Sequence, residues 1–233
     1  MIKKKQTLRR TRTVLKKLKP SSLAKSHSTR QIISNFADRM GLVYFGRVDS
    51  RRDDYHLIRG HTASISHIDS HYCVGTYKSY DVSLVMRNDY VLLKSKKTKE
   101  MSWLIVSLDL KKGKHLPPIY IGHDTDNSIY DAKHTRLLPV LPEHLPHVYK
   151  DFHKDFTVYT LPAYISRLPA LLRPELMENI GHKFGSTSVE ISGGVLYLYI
   201  QSQHPTRVLL ETMLENSVWL ADALDTLARQ LED

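Results

Sequence analysis

The last stretch of the chain, residues 206–233, carries apolar residues at spacings of three and four. This spacing places them on one face of a helix, a pattern more typical of a helix packed on a core than of a coiled coil. We therefore predict a long C-terminal helix. Its stripe consists of Leu210, Met213, Ser217, Leu220, Leu224, Leu227 and Leu231.

The region that precedes this helix combines start, stop and strand signals. Pro162 and Pro174 each suit the first position of a helix, where no backbone donor is needed. The pair Gly193 and Gly194 separates two runs that are rich in β-branched and aromatic residues, which predicts a hairpin. The order strand, helix, helix, hairpin and long helix predicts an α+β fold, with helices on one face of an antiparallel or mixed sheet.

The N-terminal half, residues 41–136, is rich in predicted strands. Residues 71–77 and 81–87 form a predicted hairpin, because apolar and polar positions alternate in the second run. Residues 102–110 form a nearly continuous apolar run, which is typical of a central strand that is buried on both faces.

The domain organisation follows from these patterns. Residues 137–147 contain three prolines and predict a stiff connector between the strand-rich half and residues 148–233. A short helix is expected over residues 32–40, with Pro20 ending the pattern of the tail before it. We predict a single α+β domain over residues 31–233, preceded by a tail of residues 1–30.

The net charge of the chain is concentrated in this tail. The sequence holds 34 Lys and Arg against 24 Asp and Glu, a formal net charge of +10. Eleven of the basic residues and none of the acidic ones lie in residues 1–30, so residues 31–233 hold 34 − 11 = 23 basic and 24 acidic residues. Affinity for anionic partners is therefore expected to come from the tail.

The tail itself is predicted to be either a basic amphipathic helix or a disordered basic arm. Leu8, Leu15 and Leu18 fall on one helical face, with Lys and Arg around them. Such a segment can lie on an anionic membrane surface or contact nucleic acid phosphates without base specificity, and the acidic side of the C-terminal helix is a third candidate partner. The candidate binding residues are Lys3, Lys4, Lys5, Arg9, Arg10, Arg12, Lys16, Lys17 and Lys19.

Three runs in the C-terminal half carry a resemblance to a known family. The runs are Asp155-Phe156-Thr157-Val158-Tyr159, Leu172-Arg173-Pro174-Glu175-Leu176-Met177-Glu178, and the two strands with their Gly-rich turn from Val189 to Tyr199. In these runs the chain resembles the C-terminal part of the bacterial domain-of-unknown-function family 3137. Members often carry transmembrane helices ahead of a soluble domain, so the resemblance implies a bacterial protein with a role at a membrane. It implies no biochemical activity.

Residues 67–73 gather side chains of the types that bind zinc. If this segment is extended, His67, Asp69, His71 and Cys73 share one face, because side chains alternate along a strand. Imidazole, carboxylate and thiolate groups are zinc ligands, and strand residues two apart can chelate one ion. The spacing matches no established zinc motif, so a surface group of histidines with a buried Cys73 is the alternative. No other cofactor is expected.

Further features of the sequence limit the classes of function that we expect. No run of 18 apolar residues and no signal peptide occur, and a single cysteine cannot form an internal disulfide. We therefore expect a cytoplasmic protein that lies peripherally at the inner face of the membrane. Gly-rich phosphate loops, GxSxG and HExxH motifs are absent, so nothing demands an enzyme. The leading hypothesis is a non-enzymatic module that binds an anionic membrane through its tail. The alternatives are a nucleic-acid-binding protein that uses the same tail, and a metal-dependent enzyme.

Overall fold

The structure, a computed structural model, describes six segments of the chain, which are residues 20–47, 66–92, 98–123, 137–146, 151–201 and 204–232. Nine strands lie in these segments: β1 Val43–Arg47, β2 Ser66–Tyr77, β3 Tyr80–Leu92, β4 Thr98–Asp109, β5 Ile119–His123, β6 Leu138–Pro139, β7 Phe156–Thr160, β8 Ser188–Ser192 and β9 Val195–Gln201. The same segments contain five α-helices: α1 Pro20–Met40, α2 Phe152–Asp155, α3 Leu168–Leu171, α4 Pro174–Lys183 and α5 Arg207–Glu232.

The strands form one antiparallel sheet in the order β1-β2-β3-β4-β9-β8-β5-β7-β6. Two-residue turns close the hairpins β2–β3 and β8–β9, and both residues of each turn have positive φ, as the twist of a hairpin favours. Strand β4 pairs with β9 from Trp103 opposite Gln201 to Asp109 opposite Val195, so the two halves of the chain share one sheet. The predicted α+β class is confirmed.

The main core lies between the helices and one face of the sheet, which we call the first face. We call this core the helical core. Alternate residues of the central strands, such as Leu84, Leu104 and Leu198, point to this face and are at most 1% exposed. Helix α1 adds Ile33 and Phe36 to the same core. The predicted stripe on α5 is buried at Leu210, Met213, Ser217, Leu220, Leu224 and Leu227. Helix α5 therefore packs on the sheet, as its periodicity predicts.

The second face of the sheet is also buried over its central strands. Its apolar and aromatic cluster consists of Tyr72, Val85, Met101, Trp103, Ile105, Tyr197 and Tyr199. Asp69 on β2 and Arg87 on β3 are buried charged residues of these strands, and the buried Glu190 lies on the neighbouring strand β8. Tyr199 donates a hydrogen bond of 2.7 Å to the Glu190 carboxylate, and burial, together with that carboxylate, raises the pKa of Tyr199. Such groups must be paired when they leave water.

Two boundaries differ from the sequence prediction. Helix α1 begins at Pro20 rather than near residue 32, and Thr29 on it is already buried. A proline that can end one pattern can also begin a helix, since the first position needs no donor. The Pro-rich stretch is not only a connector, because β6 pairs with β7 and the backbone amide of Val140 donates to the Val158 carbonyl.

Candidate functional site

The predicted zinc ligands lie on β2, where a β-bulge interrupts the alternation of side chains. Between the pairs Ser70–Met86 and Cys73–Leu84, two residues of β2 oppose one residue of β3, and His71 has a φ of 55°. One extra residue turns the side chains beyond it to the other face. Cys73 therefore belongs to the helical core, whereas Asp69 lies on the second face beside Arg87. The structure does not bring Asp69 and Cys73 together.

Asp69 is held by an arginine on the neighbouring strand. Nε and Nη2 of Arg87 donate to the two carboxylate oxygens of Asp69 at 2.7 and 2.8 Å. The pair is buried, with Asp69 3% and Arg87 2% exposed. Bidentate, charge-assisted bonds of this kind are the strong ones in proteins, and they occupy both oxygens of the carboxylate. This pair therefore fastens β2 to β3.

His71 contacts the edge strand β1 instead of the other candidate ligands. Its Nδ1 lies 2.8 Å from the hydroxyl of Tyr44, and the two rings are stacked with centroids 6.1 Å apart. Burial, and after it the nearby Arg30 guanidinium on α1, lowers the pKa of His71. The neutral imidazole is therefore the form that this environment favours.

Cys73 is enclosed in the helical core. It is 0% exposed, and its thiol donates to the backbone carbonyl of His71 at 3.7 Å. Burial raises the pKa of the Cys73 thiol to about 12, and Asp38 adds to the effect. Thiolate, which is both the nucleophile and the metal ligand, is therefore disfavoured at neutral pH.

We expect Cys73 to resist alkylation in the native protein. Iodoacetamide at pH 8 should modify it only as fast as the domain opens, because the thiol is buried and protonated. Intact mass spectrometry over time, with and without denaturant, measures this. Modification of the native chain at the rate of the denatured chain would contradict the buried placement.

The remaining zinc candidate, His67, lies on β2 opposite Asp89. Among the residues that the structure describes, no group of three or more His, Cys, Asp or Glu residues is placed to hold a metal ion. The zinc site stays a prediction. The nine basic residues predicted to bind an anionic surface, Lys3 to Lys19, lie outside the described residues, and that binding also stays a prediction.

The acidic side of α5 contacts the domain itself. Glu211 lies 3.0 Å from guanidinium nitrogens of Arg39 on α1 and of Arg207. Glu215 accepts hydrogen bonds from the Tyr77 hydroxyl at 2.6 Å and from the Lys78 ammonium at 2.5 Å, at the tip of the β2–β3 hairpin. These carboxylates connect α5 to α1 and to the hairpin.

Asp225 is buried, with 1% exposure, whereas Glu215 and Asp222 on the same helix are exposed. Its carboxylate accepts from the backbone amides of Lys111 at 3.2 Å and Lys112 at 2.7 Å, just after β4. It also accepts from the Tyr80 hydroxyl at 2.8 Å, which donates to Asp222 as well. Burial and the two carboxylates raise the pKa of Tyr80, so the hydroxyl remains a donor. Asp225 therefore fixes the turn that leaves the central strand.

Sequence reasoning missed this role of Asp225. The residue lies one position past Leu224 of the apolar stripe, at the border of the helix face. Helical periodicity predicts on which side of the helix the Asp225 side chain lies. It cannot show that the backbone of residues 111–112 packs over this carboxylate. Three lysines, Lys111, Lys112 and Lys114, follow the apolar strand where the chain leaves the core, and they are the signal that could have indicated a carboxylate partner.

Comparison with known proteins places the fold. The structure is similar to the crystal structure of the mycobacterial trehalose monomycolate transport factor A, TtfA, with a TM-score of 0.56, over 84% of this chain and 94% of that chain. The sequence identity is 9%, so the likeness concerns the fold alone. No family model matches the chain, and no curated protein matches it. The resemblance to family 3137 stays a prediction.

Proposed function

We propose that the protein is a non-enzymatic module that associates peripherally with an anionic membrane surface through its basic N-terminal segment, residues 1–30. The observation that carries this proposal is the distribution of charge. The segment holds eleven Lys and Arg and no acidic residue, while the rest of the chain is balanced. Each basic residue near an anionic surface contributes on the order of 1 kcal/mol before saturation, so such a segment holds a protein there in a salt-sensitive way.

The contacts of α5 support an external partner for this segment. Glu211, Glu215 and Asp225 on α5 are already engaged by Arg39, by the β2–β3 hairpin and by the backbone after β4. If the basic segment bound to α5, it would have to displace these existing partners of the carboxylates. The positive charge of the segment is thus better satisfied by another molecule than by α5.

A membrane is favoured over nucleic acid for two reasons. Leu8, Leu15 and Leu18 give the segment an apolar side, which a bilayer interface can bury and a phosphate backbone cannot. The family that the C-terminal half resembles often carries transmembrane helices.

In the described part of the chain, no helix is both long and apolar enough to cross a bilayer. The similar mycobacterial structure is named a transport factor, which supports a role without catalysis here.

Replacing the nine basic residues from Lys3 to Lys19 with glutamine should abolish membrane association. The expected result is a loss of at least about 100-fold in partitioning onto vesicles of phosphatidylglycerol and phosphatidylcholine, since nine attractive charges disappear. Co-flotation of the full chain measures it, with pure phosphatidylcholine vesicles as the neutral reference.

A charge-conserving variant provides the matched control. Replacing the six lysines of the set, Lys3, Lys4, Lys5, Lys16, Lys17 and Lys19, with arginine keeps the charge and should preserve flotation. Equal flotation of the glutamine variant, or flotation with neutral vesicles, would overturn the proposal.

A further inference from the structure

A groove of about 410 Å³ lies between α4 and α5 and is open to solvent. At one end, Asn216 on α5 donates to the Lys183 carbonyl at 3.1 Å, and at the other, Arg173 donates to the side-chain oxygen of Gln230 at 2.8 Å. These contacts show that the two helices run antiparallel and that side chains connect them at both ends. The volume of the groove lies in the range of sites that bind ligands.

The floor of the groove is apolar. Leu176 on α4 and Leu227 on α5 are buried, whereas Trp219 and Ala223 on α5 are half-buried. The three residues of α5 follow one another at intervals of four, so they lie on the same face of the helix. Because part of this face remains in contact with water, an apolar side chain of another molecule is stabilised by covering it.

The walls of the groove carry two exposed carboxylates, Glu175 on α4 and Asp222 on α5. In the part of the chain that the structure describes, no hydrogen bond or ion pair engages the Glu175 carboxylate. Arg173 also lines the groove, but its guanidinium donates to Gln230. The lining therefore has a net negative charge, which attracts a cation and repels an anion.

Trp219 already binds a cation near the C-terminal end of α4. The Lys183 ammonium lies over its indole ring, 4.8 Å from the ring centroid, and Phe184 contacts the ring edge-on with centroids 6.0 Å apart. The electron-rich face of an indole ring attracts an ammonium group. This internal contact shows that a basic side chain and apolar surface combine favourably at this place.

From these features we infer that the groove binds a segment of a partner protein that carries an apolar side chain within one helical turn of a lysine or arginine. The apolar side chain packs on Ala223 and Leu227, and the basic group reaches toward Glu175 and Asp222. Acidic segments are excluded by charge, since the lining is already negative. The domain thus has a protein partner of its own, separate from the surface that the basic N-terminal segment binds.

An array of short synthetic peptides of random sequence tests this inference. The labelled full chain is compared with Ala223→Phe, which fills the groove, and only peptides that bind this variant more weakly are considered. These peptides should combine leucine or an aromatic residue with lysine or arginine, and Ala223→Phe should weaken their binding at least about tenfold. Acidic peptides that bind the basic N-terminal segment should bind both proteins equally and drop out of the comparison.

Glu175→Gln and Glu178→Gln are a matched pair of variants on α4. Both positions are exposed and lose the same charge, but only Glu175 lines the groove. Glu175→Gln should weaken binding of the selected peptides about threefold, as expected for an exposed ion pair, whereas Glu178→Gln should leave it unchanged. If Ala223→Phe fails to fold, the peptides are selected instead by their weaker binding to Glu175→Gln.

Several results would overturn the inference. They are the absence of any peptide that distinguishes the full chain from the groove variants, a selected set dominated by acidic peptides, and equal losses in Glu175→Gln and Glu178→Gln. Binding that appears only when the nine basic residues from Lys3 to Lys19 are replaced with glutamine would assign the groove to the chain's own basic segment. No membrane enters this experiment, so its failure would leave the proposed function standing.

Discussion

Replacing Asp69 with alanine is expected to lower the free energy of unfolding by about 3–5 kcal/mol. The substitution leaves the Arg87 guanidinium, which is 2% exposed, in the sheet without the carboxylate that now accepts two of its hydrogen bonds. A buried charge that loses its partner pays the cost of desolvation without compensation. Urea unfolding followed by circular dichroism measures the effect.

Burial, rather than the presence of an ion pair, should decide the size of this loss. The exposed pair of Asp151 and Lys154 has an even shorter separation, 2.5 Å, yet Asp151→Ala should leave stability nearly unchanged because both side chains are in water. The double variant Asp69→Leu with Arg87→Met should recover most of the loss, since it removes both charges of the pair. A small effect of Asp69→Ala would show that the pair is open to water.

Replacing Asp225 with alanine is expected to lower the free energy of unfolding by about 3 kcal/mol or more. The backbone amides of Lys111 and Lys112 lose their acceptor, and Tyr80 keeps only Asp222. Hydrogen bonds to a charged group contribute about 1.5–3 kcal/mol each, and buried donors without acceptors add a further cost. Thermal and urea unfolding measure the loss, and amide exchange at Lys111 and Lys112 locates it.

Asp222 is the matched control for Asp225. It is exposed, lies one turn earlier on α5 and shares the Tyr80 hydroxyl. Asp222→Ala removes one of the two acceptors of a donor that remains satisfied, so a loss of roughly 1 kcal/mol is expected. Equal losses for the two variants, or unchanged exchange at Lys111 and Lys112 in Asp225→Ala, would contradict the anchoring role.

Local sequence patterns were sufficient to predict the elements that are defined by residues close together in the sequence. Val82, Leu84 and Met86 alternate on β3 and all face the helical core. Gly193 and Gly194 turn between β8 and β9 with positive φ, as two glycines between β-rich runs predict. In both cases the residues that define the element are neighbours in sequence, so the sequence alone contains the information.

Long-range pairing could not be predicted in the same way. The ladder between β4 and β9 joins residues nearly a hundred positions apart, and neither strand carries a mark that selects the other. That ladder joins the two predicted halves in one sheet. The stretch at residues 137–147 therefore separates two parts of the sequence that are continuous in the fold. The partner of Asp69 likewise depends on the register of β2 and β3.

The β-bulge at His71 is the reason why the sequence could not predict how the candidate zinc ligands are arranged. Strict alternation over residues 67–73 was a reasonable expectation for a strand, but one extra residue placed Cys73 in the helical core and Asp69 beside Arg87. Bulges without glycine leave little trace in a single sequence. The same feature that separates these predicted zinc ligands creates the contact between His71 and Tyr44.

Competition between two anionic partners is the most direct test of membrane association. The full chain is allowed to float with phosphatidylglycerol vesicles at about physiological ionic strength, and duplex DNA is added at equal phosphate concentration. The proposal predicts that the protein stays with the vesicles, because the apolar side of the basic segment gains from the interface and not from DNA. Transfer of the protein to DNA, or failure to float before DNA is added, would contradict it.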